Sequence, residues 1–233
     1  GQDIDALFWR SMARADSGDF KGARQDAIEA ASVVEAYPLW ARNKFYFSAV
    51  RAAVEAGDLP LAERFIDLVQ TNALNGEEAS LYHLLAGRID EGRGRLSEAI
   101  DTYGQVIAAD VRPTRAEAIY RTLKLLDQQG TLNLAKATQT LSAEAMLWRG
   151  DALEADMLTL LADFYFRDGQ YRQGFEAVHQ AVSHYPDSAS INALRDEAQA
   201  MFGQLFLDGM AETLGPVEAL SLYYDFRQLT PPG

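Results

Sequence analysis

The chain has 233 residues, 48% hydrophobic and 24% charged, a composition that fits a packed globular protein and excludes a disordered one. Its formal net charge of -13 sets the molecular field against nucleic-acid phosphate and anionic lipid surfaces. With no cysteine, a disulfide scaffold, thiolate catalysis and Cys-ligated zinc are excluded, and no stretch approaches the ~20 apolar residues that span a bilayer.

The sequence reads as helix throughout, with no sustained alternation and no Asn-Gly turn between strand patterns. The first helices are predicted at 4–17 and 20–36, divided by Gly18. The next two, 39–56 and 59–71, divide at Gly57, with Pro60 in a first turn where its missing N–H costs nothing. Helices at 77–92 and 95–109 flank Gly94; Glu77 and Glu78 open the first of these, complementing its dipole. Helices at 114–129 and 132–147 flank Gly130, and Thr114-Arg-Ala-Glu117 reads as a capping box after Pro113. Helices at 153–168 and 171–185 flank Gly169, with apolar residues at helical spacing: Leu158, Leu161, Ala162 and Tyr165, then Phe175, Val178 and Val182. Tyr185-Pro-Asp-Ser188 closes that pair and caps the next. The last pair, 188–213 and 216–228, divides at Gly215 and is atypical; Thr230-Pro-Pro-Gly233 reads as a stop or a linker.

The six dividing glycines are spaced by 39, 37, 36, 39 and 46 residues. Two residues after each stands an apolar side chain: Phe20, Leu59, Leu96, Leu132, Tyr171 and Val217. Five residues after the first five stands a small one: Ala23, Ala62, Ala99, Ala135 and Gly174. This pattern describes a repeated helical hairpin: a left-handed glycine ends one helix, and the next buries its first apolar residue and uses the small one for close approach.

Residues 156–188 resemble a tetratricopeptide repeat (TPR) at Leu158, Leu161-Ala162, Tyr165, Gly169-Gln-Tyr171, Gly174, Ala181 and Pro186. Residues 81–113 are similar at Ala86-Gly87, Gly94-Arg-Leu96, Ala99, Tyr103 and Pro113. The resemblance implies an all-α, right-handed superhelical solenoid of about six antiparallel hairpins, in units 4–36, 39–71, 77–109, 114–147, 153–185 and 188–228. These form a single repeat domain over 1–233, which is also compatible with a piece of a longer repeat protein. The family's usual role, binding peptides or other proteins in a concave groove, makes a protein-interaction module the first expectation. Self-assembly through the solenoid ends is the alternative, and an enzyme a distant third.

In such hairpins the first helix lines the groove. The column six residues before each glycine holds Met12, Arg51, Arg88, Lys124, Asp163 and Gly209; ten before it stand Phe8, Phe47, Leu84, Tyr120, Thr159 and Leu205. Three successive units thus pair an apolar residue with a cation at i, i+4: Phe47 with Arg51, Leu84 with Arg88, Tyr120 with Lys124, with Lys44 and Arg167 nearby. One reading is a basic, apolar-studded strip for an acidic peptide or protein partner. The other is internal pairing with Glu55, Glu91 or Asp127. Reversing Arg51 and Arg88 to Glu distinguishes them: loss of binding with folding intact supports the strip, loss of folding the internal pairs. Most aromatics, including Trp9, Trp40, Trp148 and Tyr223-Tyr224, are expected in the core, with Phe166 a candidate for the groove; the final helix is a candidate edge for a homo-oligomer.

No motif carries catalysis or cofactor binding. His179 and His184 are five apart on one helix and do not chelate, and no H-E-x-x-H, Walker loop or G-x-S-x-G occurs. Gly92-Arg-Gly94 is an interhelical turn with no preceding strand. No cofactor and no metal are expected. The preference for Arg over Lys, with lysine only at 21, 44, 124 and 136, is expected of a GC-rich bacterial genome, and the chain is expected to be soluble, in the cytoplasm or the periplasm.

Overall fold

Five of the hairpin turns share one backbone device. Gly18, Gly57, Gly94, Gly130 and Gly169 all have φ between 69° and 83°, the left-handed region where a Cβ is costly. At each, the following N–H reaches back five residues to a helix carbonyl: Asp19 to Arg14, Asp58 to Ala53, Arg95 to Asp90, Thr131 to Leu126 and Gln170 to Tyr165, at 2.8–3.0 Å. This is the longer bond of the Schellman motif, and it satisfies a carbonyl that the helix end would leave open. After two of these glycines the next residue, Asp19 or Asp58, caps the second helix through its carboxylate.

The computed structural model describes residues 3–229, so the Thr230-Pro-Pro-Gly233 segment lies outside the described residues. The helices are α1 Ile4–Asp16, α2 Phe20–Ala30, α3 Leu39–Glu55, α4 Leu59–Ile66, α5 Gly76–Gly92, α6 Leu96–Ala109, α7 Arg112–Gln128, α8 Leu134–Leu147, α9 Ala152–Arg167, α10 Tyr171–His184, α11 Ala189–Leu207 and α12 Pro216–Phe226, with no strand among the described residues. The chain divides inside α7 into two compact units, residues 1–125 and 126–233.

In the first unit, α1 pairs with α2, α3 with α4 and α5 with α6, while α3 also packs on α1 and α5 on α3. The core runs from Phe8 through Phe45 and Phe65 to Leu85 and Ile89. A second cluster joins α5, α6 and α7 through Leu84, Ala99, Tyr103, Ala118 and Leu125. Here Gly87 allows close approach: a Cβ would stand 2.6 Å from the Tyr103 ring, which would have to shift. In the second unit, α9 and α10 form the hairpin around which Leu158, Phe175, Val178, Leu194, Phe202, Leu222 and Phe226 pack. Glu154 ties its two ends together. Almost wholly buried, it accepts hydrogen bonds from the Gly150 N–H and the Tyr185 hydroxyl, both at 2.7 Å, and lies 3.0 Å from His184 Nδ1. Burial works against its charge, yet these bonds outweigh it and hold the carboxyl below its ordinary range; burial and the bond to Glu154 push the Tyr185 phenol up to about 12.

Several boundaries differ from the sequence reading. α2 stops at Ala30 and α4 at Ile66, each followed by a separate 3₁₀ turn, Val34–Ala36 and Thr71–Ala73. α8 begins two residues late because Asn133 caps it, so Ala137 rather than Ala135 takes the buried small position. Thr114-Arg-Ala-Glu117 is no capping box: Thr114 already lies inside α7, and its hydroxyl donates to the Val111 carbonyl. A capping box does form at Asn75 and Glu78. The last turn is made by Gly209, with φ 81°, and not by Gly215, which is extended before Pro216.

Candidate interaction cleft

The first helices of three successive hairpins wall a cleft in the first unit, of about 360 Å³. α3 gives it one face, Trp40, Lys44, Phe47, Ser48 and Arg51, spaced so that the side chains stack along successive turns. The C-terminal turn of α1 adds Ala15 and Asp16, and the first turns of α5 add Glu78 and Leu81. Phe47 is nearly buried and floors the cleft, whereas Trp40 stands open at 62% exposure. Lys44 is exposed and forms no ion pair among the described residues. Glu78 is committed to the Asn75 N–H at 2.9 Å.

Arg51 sits where the cleft meets a buried charge network. The hub is Glu117 of α7. It accepts from Arg88 at 2.9 Å, from Arg121 at 3.1 Å and, more loosely, from Arg51 at 3.4 Å. Arg88 also holds Glu55 at 2.9 Å, and Arg121 reaches Glu91 at 3.2 Å. The Tyr103 hydroxyl donates to Glu91 at 2.6 Å and closes the chain. Burial alone would raise the Glu117 pKa, but the guanidinium groups of Arg51, Arg88 and Arg121 override it and hold the carboxyl at about 2. Burial lowers and the two carboxylates raise the Arg121 pKa, and the carboxylates prevail. One carboxylate thereby links α3, α5 and α7, the first helices of three hairpins.

The residues expected to form one strip are therefore distributed. Lys44, Phe47 and Arg51 share the cleft. Arg88, only 7% exposed, serves the ion network, and Leu84 is buried in the cluster of α5 to α7. Tyr120 and exposed Lys124 keep each other's company on α7, the ammonium 5.8 Å from the ring centre. In the second unit Arg167 is bound bidentately by Asp127, at 2.7 and 2.9 Å, and by Asp163 at 3.0 Å. Phe166 does not face a groove: its ring lies against Phe175 and over Gly174, where a Cβ would collide with it. Trp9 and Trp40 are not core residues; they lie on the surface with ring centres 6.5 Å apart.

The sequence reading named Glu117 only for a capping box and Tyr103 only for the repeat pattern, did not name Arg121, and assigned none of the three to a charge network. A signal existed. Thirteen residues before the first five glycines stand Asp5, Lys44, Leu81, Glu117 and Asp156, two turns from Met12, Arg51, Arg88, Lys124 and Asp163 on the same helix face. That column carries an acid in three of the five units.

The architecture is that of a TPR-like helical repeat protein. Among solved structures the chain is similar to the Rap protein complexed with competence and sporulation factor, at 14% identity and TM-score 0.67, covering 96% of this chain and 64% of that one. It is similar to Pseudomonas aeruginosa PilF at 13% identity and TM-score 0.59, covering 99% and 93%. It is also similar to a tetratricopeptide repeat protein from Parabacteroides merdae, at 15% identity and TM-score 0.51, covering 100% and 82%. No protein-family model and no curated sequence matches it. No helix among the described residues is long and apolar enough to cross a membrane.

Proposed function

We propose that this chain is a protein-interaction module and that the cleft between α1, α3 and α5 holds an extended segment of its partner. The observation that carries the reading is the meeting of an apolar floor, Phe47 and Leu81, with an open indole, Trp40, and the ammonium of Lys44, which has no ion pair among the described residues. An aromatic wall with a few placed polar groups is the usual make-up of a site that anchors one side chain and orients the rest. The segment this cleft suits has an apolar side chain over Phe47 and a carboxylate at Lys44, with the outer edge of Arg51 as second donor. Arg88, Tyr120, Lys124 and Arg167 take no part in this reading. The Rap protein was solved in complex with competence and sporulation factor, which makes binding of a partner by such a fold a precedent for the proposal.

A peptide-display selection on the intact chain tests it. Selected peptides are expected to carry Asp or Glu beside an apolar residue. Their affinity is expected to fall at least about tenfold on Lys44→Glu, the scale of a lost charge-assisted contact plus a new repulsion. Lys136→Glu, an exposed lysine of the second unit, serves as the control for net charge. Binders that lose no affinity with Lys44→Glu, or lose it equally with Lys136→Glu, refute the cleft.

A further inference from the structure

Four charged residues line the cleft, and two of them are committed: Arg51 to Glu117, and Glu78 to the Asn75 N–H. The other two are Lys44 and Asp16. Both are exposed, and neither side chain has a hydrogen bond or an ion pair among the described residues. They carry opposite signs and do not pair with each other. A uniformly acidic segment would meet repulsion at Asp16, and a uniformly basic one at Lys44.

The helix register gives the distance between these two charges. Phe8 stacks on Phe45 at 4.8 Å, and Ala15 shares a buried cluster with Ala52. α1 and α3 therefore run side by side in parallel, each residue of α1 level with the one 37 later. Asp16 is level with Ala53, which places it about 13 Å beyond Lys44 along the cleft, at 1.5 Å per helical residue. Phe47 lies between them, one turn beyond Lys44. An extended segment covers that length in about four residues, and its alternate side chains point to one side. We infer, on the footing that this cleft is the binding site, that it selects a partner segment of opposed charges. An acidic, an apolar and a Lys or Arg side chain stand at alternate positions of that segment, seated on Lys44, Phe47 and Asp16 in that order. A second copy of this chain does not supply it. With an apolar residue larger than Ala at its centre, the pattern occurs twice in the sequence in either direction, at Glu117-Ala-Ile-Tyr-Arg121 and Asp163-Phe-Tyr-Phe-Arg167. Both stretches lie inside helices, and in both the acid already pairs with the base, at 3.1 and 3.0 Å.

The probes are end-capped peptides, labelled for fluorescence anisotropy and titrated with the intact chain. Two are mixed, with Glu-Ser-Leu-Ser-Lys or its reverse at the centre. Two are uniform, with Glu-Ser-Leu-Ser-Glu or Lys-Ser-Leu-Ser-Lys. At least one mixed peptide is expected to bind about tenfold more tightly than either uniform one, and more weakly as salt rises. Asp16→Lys is expected to move the preference to the acidic peptide, and Lys44→Glu to move it to the basic one. Asp187→Lys, at an exposed position of the second unit, makes the same change in net charge as Asp16→Lys and is the control. All three positions are exposed, so circular dichroism should be unchanged. The inference is overturned if no mixed peptide binds, if the acidic peptide binds the unaltered chain as tightly, or if Asp16→Lys shifts the preference no more than Asp187→Lys does. When it fails in the second or third way while Lys44→Glu still weakens binding, the cleft stands and takes a purely acidic segment; when Lys44→Glu has no effect either, the cleft reading falls with it. A concentration-dependent dimer in sedimentation that Lys44→Glu abolishes would also overturn it, by making a second copy the occupant.

Discussion

Glu117 is held by three arginines in a place with little water, so its loss leaves an excess of positive charge that cannot leave. Replacing one partner of a buried pair costs about 3–5 kcal/mol, more than the net worth of the intact pair. Glu117→Gln is therefore expected to lower the unfolding free energy by about that amount, and Arg88→Ala nearly as much, in urea titrations of the intact chain. The acid also sets a pH dependence. Its carboxyl titrates at about 2 in the folded chain against an ordinary 4.5. A depressed folded pKa means that the stabilisation is complete above the unfolded value and is lost as pH falls through the folded one. Stability should decline between pH ~4.5 and ~2, and the decline should be shallower in Glu117→Gln; identical slopes would show that other carboxylates account for it. The same geometry alters the reversal of Arg51 and Arg88 to Glu. With Arg88 buried among acids, that pair of substitutions is expected to damage folding, so Lys44 and not Arg88 is the informative position for binding.

At the scale of the helix, the turns were legible because their physics is local. A glycine that must reach φ near 75° can be read from sequence, and five of six were. The sixth failed for a reason also present in the sequence: Gly215 precedes Pro216, which restricts it to extended backbone, so Gly209 had to end the helix. The strip of cations was less legible, because a column tells which face a residue occupies and not what stands opposite it. Arg51 and Arg88 stand in one column, and Glu117 arrives from α7 to claim both. Two substitutions test the packing register. Ala99 is fully buried in the α5–α6 hairpin, and Ala99→Leu should overpack it at a cost of about 1–3 kcal/mol. Gly104, in contrast, lies mid-helix in α6 with open space around its Cα, and Gly104→Ala should stabilise by about 0.5–1 kcal/mol. Thermal or urea unfolding reads both, and opposite signs are the expectation.

At the scale of the molecule, neighbour-to-neighbour packing makes stability a regional property. Damage to Glu117 falls within residues 1–125, whose helices α3 and α5 it joins to α7. Hydrogen exchange should therefore quicken in α3, α5 and α7 of Glu117→Gln while α9, α10 and α11 keep their protection. Uniform loss of protection would mean that the chain unfolds as one cooperative body. The cleft mixes Lys44 and Arg51 with Asp16 and Glu78, although it belongs to a chain of charge -13.

Trp40 gives this protein a built-in optical sensor. Indole emission moves to shorter wavelength when water leaves its surroundings, and the protein holds only three tryptophans. Trp40 is the one at the cleft; Trp9 stands 6.5 Å from it, close enough to pass excitation across, while Trp148 is half-buried in another unit and engaged with Asp151. A Trp9→Phe/Trp148→Phe chain would emit from the cleft alone, so a blue shift and reduced acrylamide quenching would report occupancy without any label.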